Sequence, residues 1–126
     1  MTTESSRKRI LLVEDDEQSV RYIELLLRKR YEVCSTTWAE AAWTLLHEIP
    51  IDLVLMDISL PGGVNGLQLT ERIRASERLH GLPVIAVTAH AFPRDRVNSL
   101  AAGCNEYISK PFEREELLNA VHRFIS

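Results

Sequence analysis

The sequence predicts an α/β domain, a five-stranded parallel sheet doubly wound by five helices. Three observations carry the prediction. Short apolar runs alternate five times with amphipathic stretches along 126 residues. The apolar runs lack the in/out alternation of a half-solvated sheet, so both sheet faces must be covered. The length and a composition of 45% hydrophobic and 26% charged residues suit one soluble core.

Ile10–Val13 reads as a short buried strand. From Glu17 to Arg30, Val20, Ile23, Leu26 and Leu27 share one helical face, and the basic run Arg28-Lys29-Arg30 suits a helix C-terminus. Tyr31–Thr36 is a second strand. Ala39 to Glu48 is a helix with Ala42, Leu46 and Ile49 on one side, stopped by Pro50. Asp52–Met56 is a third strand, apolar on both faces. Leu67 to Glu77 is a helix with Leu69 and Ile73 inward. Leu82–Val87 is a fourth strand. A helix from Pro93 to Ala102 has proline at its start and Gly103 at its end. Glu106–Ser109 is a fifth strand. Glu113 to Ile125 is a last helix with a stripe of Leu117, Leu118, Val121 and Ile125. Crossovers should be right-handed. Residues 1–8 read as a flexible tail before a single domain over 9–126.

Composition excludes several classes. A net charge of -3 gives no support for nucleic-acid binding. No apolar run is long enough for membrane insertion, and the polar, then basic, start does not resemble a secretory signal, so the expected location is cytoplasmic. Two cysteines, Cys34 and Cys104, suggest buried thiols in a reducing compartment. Trp38 and Trp43, on or near the second helix, are expected to pack.

Ligands of open α/β sheets sit beyond the carboxyl ends of the strands. There the sequence places Glu14, Asp15, Asp16 and Glu17 after the first strand, Asp57 after the third, Thr88-Ala89 after the fourth and Lys110-Pro111 after the fifth. Two carboxylates about 4 Å apart repel by roughly 1 kcal/mol in water and about 4 kcal/mol at an effective dielectric near 20. A divalent cation relieves that repulsion. An all-oxygen donor set suits Mg²⁺, with Mn²⁺ as substitute, and the four histidines show no zinc spacing. A plainer reading exists for part of the cluster. Asp16 or Glu17 can cap the helix, and an Asp with Gln18 three residues on resembles a capping box. Asp57 and Lys110, on separate strands, argue that capping is not the whole account.

The motifs LLVEDD at 11–16, DLVLMDISLPG at 52–62, PVIAVTA at 83–89 and GCNEYISKPF at 103–112 resemble a response regulator receiver domain of two-component signalling. The resemblance runs from about residue 8 to residue 126. It implies the flavodoxin-like strand order 2-1-3-4-5. It implies that Asp57 is the phosphoacceptor and that Glu14, Asp15, Asp57 and the Ser59 carbonyl hold Mg²⁺. It implies that Thr88 and Lys110 contact the phosphoryl group, that Tyr107 is an aromatic switch following Thr88, and that Lys110-Pro111 is cis. The implied partners are a sensor histidine kinase or histidine phosphotransfer protein, and a downstream protein. The latter would dock on the face of the fourth helix, fifth strand and fifth helix, near Arg94, Arg96, Val97, Leu100 and Tyr107. The implied role is a phosphoacceptor that promotes its own phosphorylation and slow dephosphorylation, rather than an enzyme. The resemblance further implies that Ser59 and His90, two residues after Asp57 and Thr88, flank the attacking water, and His90 is expected to tune phosphoryl lifetime.

One departure from the family lies in DISLPGGVNG. Nine positions separate Asp57 from Gly66, one more than is common, with the extra residue among Gly62, Gly63 and Val64. The end at Ser126, just past the last helix, together with Met1, favours a stand-alone receiver over one cut from a longer regulator. Two other classes fit less well. An FMN binder of the same strand order needs phosphate-accepting donors where EDDE stands. A phosphatase or phosphotransferase acting on external substrates through Asp57 needs a second acid where Ser59 stands.

Overall fold

The computed structural model describes residues 7–58, 65–89 and 92–125. Most of the expected tail (1–6), Ser59, the Gly62-Gly63-Val64 insertion and His90 lie outside the described residues. The elements alternate as expected: β1 Arg9–Val13, α1 Glu17–Leu27, β2 Glu32–Thr36, α2 Ala39–Glu48, β3 Leu53–Met56, α3 Gly66–Ala75, β4 Val84–Thr88, α4 Pro93–Ala102, β5 Glu106–Ser109 and α5 Arg114–Ile125. The strands form one parallel sheet in the order β2-β1-β3-β4-β5.

The strand pleat sorts side chains onto two cores. Ile10, Leu12, Leu53, Leu55, Ile85, Val87 and Ile108 point to one face, where Ile23 and Leu27 of α1 and Leu117 and Val121 of α5 cover them. Leu11, Val13, Val54, Met56, Val84 and Ala86 point to the other, under Ala42 and Leu46 of α2 and Leu69 and Ile73 of α3. Both faces are buried, hence the absence of apolar/polar alternation in the strands. Each fully buried Leu or Ile contributes about 1.5–3 kcal/mol.

Several boundaries differ from the sequence reading. Helix α1 ends at Leu27, not Arg30. The Arg30 and Tyr31 N–H groups both donate to the Leu27 carbonyl, closing a turn, and the Arg7 guanidinium donates to the carbonyls of Arg28 and Tyr31 just past the helix. Tyr31 is a buried core residue before β2, not part of the strand. Strand β4 begins at Val84 and extends to Thr88, whose Cα pairs with Ser109 in β5. Asp16 caps α1 by accepting from Ser19 N at 2.9 Å, so the third-residue partner is Ser19 and Gln18 completes no box. The reciprocal capping box is at α3 instead, between Asn65 and Gln68. Trp43 packs against the second core and lies under the Arg72 guanidinium at 4.2 Å, whereas Trp38 is exposed. Among the described residues no helix is long and apolar enough to cross a membrane.

Candidate functional site

The site forms at the carboxyl edge of β1, β3, β4 and β5. Hydrogen bonding continues one residue beyond the two central strands. Asp57 N donates to Val13 O at 2.9 Å, and Glu14 N donates to Thr36 O at 3.0 Å. These bonds fix two acidic residues whose backbone would otherwise be free to turn away. Glu14 and Asp57 are buried, Asp15 is exposed, and one carboxylate oxygen from each lies within 4.8 Å of the others. The three donors are hard oxygens, one open to solvent, which fits a small divalent cation that keeps part of its water shell. Of the sequence-predicted ligands, the structure therefore brings together Glu14, Asp15 and Asp57.

Lys110 enters from the opposite side. Its N–H donates to Thr88 O at 2.9 Å, and the Lys110-Pro111 bond is cis. The Lys110 ammonium donates to Glu14 Oε1 at 2.6 Å and lies 3.9 Å from Asp57 Oδ2. Burial pushes the Glu14 carboxyl above its ordinary range. The hydrogen bonds from Lys110 and from Asp16 N oppose that shift, and the Asp57 charge adds to it. An acidic pair sharing one ammonium keeps an excess of negative charge, which is the electrostatics that favours a further cation.

Thr88 is fully buried at the end of β4. Tyr107, of the predicted output face, is also buried, and its hydroxyl has no hydrogen-bond partner among the described residues. Burial raises its pKa. Beside the carboxylates, a cleft of about 560 Å³ runs between α1 and the β5–α5 connection, lined mainly by apolar atoms of Tyr22, Ala89, Pro111 and Phe112.

Gly66 is a site residue that the sequence reading missed. A Cβ there would lie 2.3 Å from Asp57 O and 2.9 Å from Ile58 Cα. Gly66 N also donates to Ile58 O at 3.1 Å, so the start of α3 presses directly on the backbone that carries Asp57. The signal in sequence is a glycine nine positions after Asp57, which by itself reads as a loop residue.

A five-stranded 2-1-3-4-5 sheet with this acidic edge and its lysine is the architecture of a response regulator receiver. The chain matches the family model of the response regulator receiver domain over residues 10–122 and belongs to that family of two-component signalling proteins. It is 35% identical over 119 residues to the polar-differentiation response regulator DivK of Brucella ovis, covering 94% of this chain and 96% of the relative. Among solved structures it is similar to the receiver domain of the sensor histidine kinase PA1611 from Pseudomonas aeruginosa PAO1. The identity is 39%, the TM-score 0.86, and 94% and 98% of the two chains are covered. That receiver holds a magnesium ion coordinated in its active-site cleft. The BeF3-activated DrrB receiver domain superimposes with a TM-score of 0.83 at 25% identity, over 94% of this chain and 97% of the other.

Proposed function

We propose that the chain is a cytoplasmic, phosphorylation-dependent switch that accepts a phosphoryl group on Asp57 from a histidine kinase or histidine phosphotransfer protein. The observation that carries this reading is the convergence of the Lys110 ammonium with Glu14, Asp15 and Asp57 at one sheet edge. The donor's P–N bond breaks as a P–O bond forms to an Asp57 carboxylate oxygen. The leaving imidazole keeps the electron pair. Charge develops on the phosphoryl oxygens, so the work of the site is positioning and charge stabilisation. Lys110 neutralises one oxygen, and the Thr88 hydroxyl, at the adjacent strand end, serves another. Mg²⁺, with Mn²⁺ as substitute, would be held by Glu14, Asp15, Asp57 and the Ser59 carbonyl, and would neutralise charge on the phosphoryl group. Ala89 keeps the approach open.

The phosphoryl group adds about two negative charges and three acceptors, enough to shift a local two-state equilibrium. Thr88 and Tyr107 lie on the neighbouring, hydrogen-bonded strands β4 and β5, which supports a coupling between them. The signal leaves through α4, β5 and α5. Phe92, Val97 and Leu100 are exposed there, at 65%, 63% and 41%, a small apolar patch with Arg94 over the Phe92 ring. A downstream protein docks on it.

Intact mass after incubation with acetyl phosphate tests the reading. The expected result is one phosphate adduct that needs Mg²⁺ and is absent in Asp57→Asn. An adduct in Asp57→Asn, or one that forms with a chelator present from the start, would overturn it.

A further inference from the structure

Lys110 has a second partner that the receiver reading does not use. Its ammonium donates to Ser19 Oγ at 3.2 Å. The Ser19 hydroxyl in turn donates to Asp16 Oδ2 at 2.8 Å. A hydroxyl has one proton, and here it is committed to a carboxylate, so its lone pairs are left to face the ammonium. The chain of bonds runs from ammonium to hydroxyl to carboxylate, with every donor and acceptor in its proper sense. Capping does not require this arrangement. Asp16 already accepts from Ser19 N at 2.9 Å, and that bond alone caps α1. The hydroxyl is an addition to the cap, and it meets the Lys110 ammonium.

We propose that Ser19, oriented by Asp16, is a positioning residue for phosphoryl transfer that holds the Lys110 ammonium in a resting place on α1. The proposal rests on Asp57 being the phosphoacceptor. In the unphosphorylated protein the ammonium bonds Glu14 and Ser19 and stops 3.9 Å short of Asp57, outside hydrogen-bond range. Bonding a phosphoryl oxygen built on Asp57 draws the ammonium toward Asp57. Of the two hydrogen bonds that the ammonium makes among the described residues, the one to Ser19 is the longer and goes to a neutral group, so it is the first given up. Ser19 thereby stabilises the unphosphorylated state and biases the switch toward off.

The test is a titration with beryllofluoride in Mg²⁺, followed by ¹⁹F NMR, on wild type, Ser19→Ala and Ser19→Thr. Alanine keeps the backbone cap and favours helix, so the metal-free protein should still fold and melt cooperatively, at a slightly lower temperature because the bonds to Lys110 and Asp16 are lost. The bond is long, at 3.2 Å, and loss of one hydrogen bond of ordinary strength predicts about three- to tenfold tighter beryllofluoride binding in Ser19→Ala. Threonine keeps the hydroxyl and should restore the wild-type affinity. Equal or weaker binding by Ser19→Ala, or threonine behaving like alanine, would overturn the role of Ser19 and leave the receiver reading intact. A wild type that binds no beryllofluoride would overturn both.

Discussion

At the scale of single residues, the chemistry of the site was readable and its close packing was not. Glu14, Asp15, Asp57, Thr88 and Lys110 stand out because charged or hydroxyl residues directly follow apolar strands, and strand ends meet at one edge. Ser19 acts on a group far along the chain, and Gly66 acts through a close backbone approach, and periodicity carries no trace of either. Gly66→Ala tests the packing directly. A methyl group 2.3 Å from the Asp57 carbonyl must push back the backbone, predicting a loss of about 1–3 kcal/mol in denaturant unfolding. An unchanged midpoint would mean that α3 can withdraw without cost. Cys104 gives a pH dependence. Burial holds its thiol above the ordinary value of 9.0, so the folded chain keeps a proton that the unfolded chain loses. This contribution is full below pH 9.0 and declines as pH rises toward the folded-state value. Cys104→Ala should flatten that part of the alkaline limb in pH-resolved melting.

At the scale of elements, the kinds and order were legible, and the errors sit at ends. The sequence pattern carries α1 on to Arg30 because three basic residues continue a plausible helix, whereas the helix ends at Leu27. The tertiary contact from Arg7 that meets the chain just past the helix is invisible in a local window. The fourth strand gained Thr88 because pairing with β5, not propensity, decides its end. Gly103, by contrast, was readable. It stands at the C-terminus of α4 with φ 118°, where a glycine has no steric penalty. One device that joins elements leaves no local mark in the sequence. Arg74, at the end of α3, donates to the carbonyls of Gly103, His80 and Leu82 and to Asn105 Oδ1, all within 2.6–2.9 Å. It ties α3 to the turn before β4 and to the junction of α4 with β5. Arg74→Met keeps much of the side-chain volume but removes the donors. The expected cost is about 1–3 kcal/mol, with faster amide exchange at Asn105 and Val84. Unchanged exchange there would show that the remaining backbone bonds suffice.

At the scale of the whole molecule, five βα units and two buried sheet faces follow from the sequence pattern, and the family follows from four motifs in order. The repulsion among carboxylates is a global quantity as well, because it weakens the fold that concentrates it. A cation bound only by the folded chain should therefore stabilise it by mass action, by about 2.7 kcal/mol at one hundred times its dissociation constant. Thermal melting with Mg²⁺ and then with excess chelator reads this. The melting temperature should rise and then return, with no such rise in Asp57→Asn combined with Asp15→Asn.

The central claim is that Asp57 itself carries the phosphoryl group. After exposure to acetyl phosphate and Mg²⁺, borohydride reduction converts an aspartyl phosphate to homoserine, and peptide mass spectrometry locates it. Homoserine at position 57, and at no other aspartate, is the predicted result. Homoserine at a different position, or a phosphorylated protein with Asp57 unreduced, would contradict the account.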